Sequence, residues 1–132
     1  MGTSGDVVRS VYEAFGRGDV GAVLGAFDPE IRWQEAEQSA YADRNPYVGP
    51  EAVGEGVFQR ILSDVDDFAV SPQRFIDGGD TVAVEGRYRG TSKATGARID
   101  AQFVHVWEVR DGKVVRFQQY TDTKQWADAL GG

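Results

Sequence analysis

The 132-residue sequence contains no cysteine. Disulfides and thiolate metal sites are therefore excluded, and a reducing cytoplasm is the compartment that fits this composition best. There is a single histidine, so a transition-metal site made only of protein ligands has too few soft donors. A hard cation held by carboxylates is the one metal class left open, and no calcium-loop spacing is present. Neither a metal nor a cofactor is expected. No apolar run approaches a membrane span in length. Met1 to Asp6 is small and polar, unlike a signal peptide. Cationic charge is also scarce, with 14 Lys and Arg against 21 Asp and Glu and a net charge of −7. Nucleic acid and anionic membrane surfaces, which call for basic patches, are excluded as partners.

What remains is patterned. The length suits one domain, residues 1–132, with no repeat or linker. Its first half has helical periodicity. Val7, Val8, Val11, Tyr12 and Phe15 form one stripe over 4–16, with Ser4 or Asp6 as cap. Asp19 opens a second helix burying Val20, Val23, Leu24 and Phe27, and Pro29 helps stop it. Ile31, Trp33 and Glu35 alternate with polar residues as a short strand. Residues 36–50 form a long polar and aromatic loop, the place for a lid. Pro50 starts a third helix carrying Val53, Val57, Phe58, Ile61 and Leu62.

From Phe68 the period is two. Phe68, Val70, Phe75 and Ile76 make a strand interrupted near Pro72, and residues 77–80 a turn. Strands follow over 81–90, 99–110 and 113–120, with turns at 94–96 and at Asp111-Gly112. A short helix, 123–130, ends the chain. Helices followed by strands predict an α+β domain in which three N-terminal helices pack in the concave face of a curved, mostly antiparallel sheet. The resulting cone is a natural site for a small apolar organic molecule.

Several residues could act on such a ligand. His105 lies between Phe103 and Trp107 on the face of its strand that also carries Ala101 and Val109. Two readings stand: a general acid or base near neutral pH, or a core histidine satisfied by one hydrogen bond. Gln118, Tyr120 and Asp122 share parity on the last strand. If that face is concave, Asp122 is a carboxylate with a raised pKa; otherwise it caps the last helix. Glu35 is a second carboxylate candidate or a solvated loop acid. Trp33, Tyr47, Phe58, Tyr88, Phe103, Trp107 and Tyr120 are candidate substrate contacts. Arg87 and Arg89 face outward, towards Glu85 or a second copy of the chain.

Four segments carry a resemblance: Val11-Tyr12-Glu13-Ala14-Phe15 with Gly18-Asp19; residues 75–86; residues 103–113; and Tyr120-Thr121-Asp122-Thr123. Together they resemble the SnoaL-like branch of the nuclear transport factor 2-like superfamily, which includes polyketide cyclases and is related to ketosteroid isomerase. The resemblance implies a cone-shaped α+β barrel and a homodimer formed through the outer sheet face. It also implies a pocket histidine at His105 and an acid/base aspartate at Asp122. In ketosteroid isomerase-like members a catalytic carboxylate lies in the region of Glu35. The carboxylates and arginine of limonene epoxide hydrolase have no counterpart. The implied activity is cofactor-independent isomerisation, aldol-type cyclisation or dehydration of a carbonyl compound. The alternatives are a binding module for a hydrophobic metabolite and a dimeric scaffold with a vestigial pocket.

Overall fold

A computed structural model describes residues 3–131. Met1, Gly2 and Gly132, the ends of the expected domain and part of the polar N-terminal segment, lie outside the described residues. Helix α1 (Ser4–Gly16) starts one residue earlier in its capping than expected: Thr3 is the N-cap. Thr3 Oγ1 accepts from the Asp6 amide and the Asp6 carboxylate accepts from the Thr3 amide, both at 3.1 Å. This reciprocal box satisfies two amides that the first turn leaves without partners. Asp19 caps α2 (Val20–Gly25) as expected, accepting from the Ala22 amide at 3.0 Å.

Phe27 and Pro29 do not belong to that helix. They lie in strand β1 (Phe27–Gln34), which runs parallel to the last long strand. Proline is tolerated there because the pairing register shifts between Phe27 and Arg32, and β2 (Tyr47–Val48) pairs only Arg32 and Trp33. Between β1 and β2 the expected open loop contains a 3-10 turn, Ala40–Arg44. Pro50 then opens α3 (Pro50–Val53). A π-helical stretch, Gly54–Phe58, carries it into α4 (Gln59–Asp64). Val53, Val57, Phe58 and Ile61 are buried as the periodicity predicts, whereas Leu62 is exposed.

Strands β3 (Val65–Gly78), β4 (Thr81–Ser92), β5 (Arg98–Arg110) and β6 (Lys113–Thr121) form an antiparallel meander. The six strands are ordered β2-β1-β6-β5-β4-β3. Pro72 does not interrupt β3. The strand passes it with a register shift between Pro72 and Arg74, which an edge strand accommodates. Asp111 and Gly112, at φ 52° and 76°, make the tight left-handed turn that joins β5 to β6. The chain closes with α5 (Thr123–Leu130). The helices pack on the inner face of the sheet, and Ala101, Phe103, His105, Trp107 and Val109 of β5 all point into that core.

One irregularity decides what the site contains. Glu108 pairs with Arg116 but Val109 pairs with Val114, so Val115 is an extra residue in β6. Beyond this bulge the parity of β6 is reversed relative to Val114. Phe117 and Gln119 then face inward, opposite Trp107 and His105. Gln118 is only half-buried and Tyr120 is 56% exposed. The outer face carries ion pairs. Arg87 and Arg89 meet Asp100 at 2.7 and 3.5 Å, and Glu85 instead pairs with Arg74 at 3.5 Å. Among the described residues no helix is long and apolar enough to cross a membrane.

Candidate functional site

The inner faces of α1, the π-helical stretch, β1 and β3 to β6 enclose a narrow cavity of about 50 Å³. Its wall is apolar apart from a few groups: Glu35, Tyr12, Tyr88, His105, Gln119 and the tryptophan N–H groups. Phe15, Phe68 and Val70 are the only half-buried residues of the wall and mark its mouth. The rings of Phe15 and Phe68 meet edge to face there, 6.1 Å apart.

Glu35 continues the inward alternation of Ile31 and Trp33 just past the end of β1. It is 2% exposed, and one carboxylate oxygen accepts from Trp33 Nε1 at 2.8 Å. Its backbone is pinned on both sides by Asn45. The Glu35 amide donates to Asn45 Oδ1 at 3.0 Å, and Asn45 Nδ2 donates to the Glu35 carbonyl at 2.8 Å. Burial pushes the Glu35 carboxyl up to about 7; the Trp33 N–H and the positive charge of Arg60 act against this without cancelling it. A carboxyl tuned in this way can take or give a proton at neutral pH.

His105 is equally enclosed. Its Nδ1 is 2.6 Å from the Tyr12 hydroxyl and its Nε2 is 2.5 Å from the Tyr88 hydroxyl. Trp107 Nε1 donates to Tyr12 at 3.0 Å, and Gln119 Nε2 donates to Tyr88 at 2.7 Å. Gln119 is itself held by the Ala36 amide, which donates to its Oε1 at 3.1 Å. Phe103 stacks on the imidazole at 3.9 Å. Burial pushes the imidazole down to about 3, so it stays neutral across the physiological range. The same burial pushes the hydroxyls of Tyr12 and Tyr88 well above the usual phenol range, and the charge of Glu35 adds to the effect on Tyr88.

The expectations drawn from the sequence divide accordingly. His105, Trp33, Glu35, Phe58, Tyr88 and Trp107 meet at the cavity. Phe103 supports His105 from behind and does not border it. Tyr47 is buried in β2 away from the cavity, and its hydroxyl donates to the Tyr41 carbonyl and accepts from Arg60 at 3.0 Å. Tyr120 lies on the outside because of the bulge in β6. Asp122 is away from the cavity and caps α5, accepting from the Gln125 amide at 3.1 Å. Of the two readings of Asp122 the helix cap holds and the pocket carboxylate is corrected: the carboxylate at the cavity is Glu35. Tyr12 and Gln119 were missed. Tyr12 had a signal, as the one hydroxyl on the apolar stripe of α1, but Gln119 was hidden by the bulge.

Helices packed on a curved, unclosed, mostly antiparallel six-stranded sheet are the architecture of the nuclear transport factor 2-like class. The SnoaL-like domain model matches residues 8–117, and the chain belongs to this family. It is similar to a nuclear transport factor 2-like protein from Burkholderia thailandensis E264, with 33% identity over 100% of both chains and a TM-score of 0.95. A nuclear transport factor 2-like protein of unknown function from Burkholderia pseudomallei K96243 is 28% identical over 100% of both chains, with a TM-score of 0.89. The fold alone is shared with a protein of ketosteroid isomerase-like fold from Catenulispora acidiphila DSM 44928, solved with trimethylamine. That similarity covers 96% of this chain and 92% of the other at 17% identity, with a TM-score of 0.79. A comparison with curated proteins gave no match.

Proposed function

We propose that the chain is a cofactor-independent enzyme that moves a proton at a carbon next to a carbonyl in a flat apolar molecule. Such chemistry covers isomerisation, aldol-type cyclisation and dehydration. The observation that carries this reading is the buried Glu35 carboxyl, raised to about 7, on the wall of an apolar cavity that also presents the Tyr12 and Tyr88 hydroxyls. Glu35 is the base. Deprotonation of the carbon puts negative charge on the carbonyl oxygen, and a buried hydroxyl donor stabilises that charge more than water would. His105 remains neutral and holds the hydroxyls. The SnoaL-like family and the shared ketosteroid isomerase-like fold agree with this class of reaction without naming a substrate.

The test uses 2-tetralone, a flat bicyclic ketone with acidic α-hydrogens; it is larger than the closed cavity of about 50 Å³, so its binding requires the mouth at Phe15, Phe68 and Val70 to open. Its exchange with deuterium oxide is followed by proton NMR with and without the protein. Catalysed exchange should rise as pH passes about 7, where Glu35 loses its proton. Glu35→Gln keeps an acceptor for Trp33 and should lower the catalysed rate by about 100-fold or more. Asp122→Asn should leave it unchanged. A Glu35→Gln variant as active as the parent would sink the assignment. Tetralone binding by the parent with no exchange at any pH would make the chain a binding protein instead.

A further inference from the structure

The polar cluster contains one hydrogen more than its own bonds can use. Tyr12 and Tyr88 each bring a hydroxyl hydrogen, and the neutral imidazole between them brings one N–H. The links from Tyr12 to Nδ1 and from Tyr88 to Nε2 use two of these three. Both tyrosine oxygens already accept from outside, Tyr12 from Trp107 and Tyr88 from Gln119. Among the described residues neither hydroxyl has any other partner within hydrogen-bond distance. The third hydrogen is therefore left for something else, and the histidine tautomer decides which tyrosine carries it. With the hydrogen on Nε2, Tyr12 donates to Nδ1 and the hydroxyl of Tyr88 is free to turn outward. With the hydrogen on Nδ1, Tyr88 donates to Nε2 and the hydroxyl of Tyr12 is free.

Glu35 sits where it can bias this choice. It shares with Tyr88 a second, smaller space of about 10 Å³, roughly the room for one water. We propose that His105 is a positioning residue whose tautomer follows the charge on Glu35: as Glu35 takes up a proton, the ring loses its hydrogen at Nε2 and gains one at Nδ1 by exchange with solvent, and the role of spare donor passes from Tyr88 to Tyr12. An ionised Glu35 attracts the outward hydrogen of Tyr88. A protonated Glu35 no longer needs it and can donate, through a water in that space, to the Tyr88 oxygen, which turns the Tyr88 hydrogen to Nε2. The ring hydrogen is then on Nδ1, and Tyr12 has a hydrogen to offer an acceptor in the cavity. The three hydrogens of the cluster are conserved in both arrangements, and the proton gained by Glu35 comes from the carbon acid or, without ligand, from solvent. Resting on the proton-transfer reading above, this gives the ligand a requirement: a carbonyl or enolate oxygen at the Tyr12 end of the cavity, becoming anionic as Glu35 becomes neutral.

The groups facing the two players leave Glu35 as the one that changes state. Around Glu35 stand Trp33 of β1, Tyr41 of the 3-10 turn, Tyr47 of β2, Arg60 of α4 and Tyr88 of β4. Asp43 and Asp64 reach Arg60, Tyr47 and Tyr41 rather than the cluster. Around His105 stand Tyr12 of α1, Tyr88, and the rings of Phe103, Trp107 and Phe117. The arginine stays charged, and the four tyrosines are all pushed up and stay neutral.

Because His105 is the only histidine, nitrogen-15 NMR reads its two ring nitrogens without ambiguity. The full chain without ligand is compared at pH 5.5 and 8.5. The expected result is a neutral ring at both, mainly Nδ1–H at pH 5.5 and mainly Nε2–H at pH 8.5. Glu35→Gln, which stands in for the protonated acid, should stay in the Nδ1–H form at both. One tautomer throughout in the parent, a doubly protonated ring at pH 5.5, or a pH-driven change that persists in Glu35→Gln would each overturn the proposal. These outcomes separate from the tetralone test. Catalysed exchange with an invariant tautomer would leave Glu35 as base and remove the relay. A tautomer change without exchange would leave the relay and remove the reaction.

Discussion

At the scale of single residues, the site depends on side chains that the sequence shows only as members of a pattern. Trp33, Glu35 and His105 were legible because period-two alternation orients them. Gln119 was not, because one extra residue at Val115 reverses everything after it. Asp122 had two readings, cavity carboxylate by parity and helix cap, and the same bulge decides for the cap. Gly56 shows a constraint that no pattern reveals. A Cβ at that position would lie 2.3 Å from Tyr47 Cε2, so the absence of a side chain lets the loop lie flat on the π-helical stretch. Gly56→Ala should displace the Tyr47 ring and strain its bonds to the Tyr41 carbonyl and to Arg60. A loss of about 1–3 kcal/mol in urea unfolding is expected, the usual cost of overpacking. An unchanged midpoint would show that the ring has room to move.

At the scale of elements, most of the fold was legible, and the misses share a cause. Strong helical or alternating stripes placed α1 and β4 to β6 within a few residues. The failures, Phe27 and Pro29 in β1 and Pro72 inside β3, occur where a register shift lets a strand keep a residue that local rules would expel. The expected lid is instead a fastened segment: Arg60 grips Asp43 at 2.7 Å, and Tyr41 donates to Asp64 at 2.8 Å. Access is better sought at the mouth, between α1 and β3. The tail helix α5 also has an assignable element-level role. Trp126 packs against Phe68 and Tyr88 at 6.1 and 5.5 Å, closing the cone on that side. Its start depends on Asp122, so Asp122→Ala should cost about 1 kcal/mol and Asp122→Asn much less. A thermal melt of the two variants decides this. A large, equal loss of stability in both would mean that the carboxylate charge, rather than the cap, holds the end of the chain.

For the whole molecule, the two buried titratable groups act on stability in opposite directions. His105 is held below its ordinary value, 6.5 against about 3. The unfolded chain therefore binds the extra proton, and the stability His105 confers is complete above pH 6.5 and lost as pH falls towards 3. Glu35 is held above its ordinary value, 4.5 against about 7. The folded chain binds the extra proton, so the contribution from Glu35 is complete below pH 4.5 and lost as pH rises through 7. Between pH 4.5 and 6.5 the two slopes cancel and give a plateau. The other carboxylates titrate alike in the parent and in Glu35→Gln, so the difference between these proteins isolates Glu35. That difference should be near its minimum at pH 4.5 and grow with pH until just above 7. There the variant gains on the order of 3 kcal/mol, since each tenfold change in an acidity constant between the folded and unfolded chains is worth about 1.4 kcal/mol. Urea unfolding at pH 4.5, 6 and 8 measures it. A stability gain in the variant that enlarges with pH would mean that the parent keeps a destabilising charge in its core, as expected of a residue retained for chemistry rather than for packing. A constant difference would place the Glu35 carboxyl in contact with water and remove the physical basis for its role as a base at neutral pH.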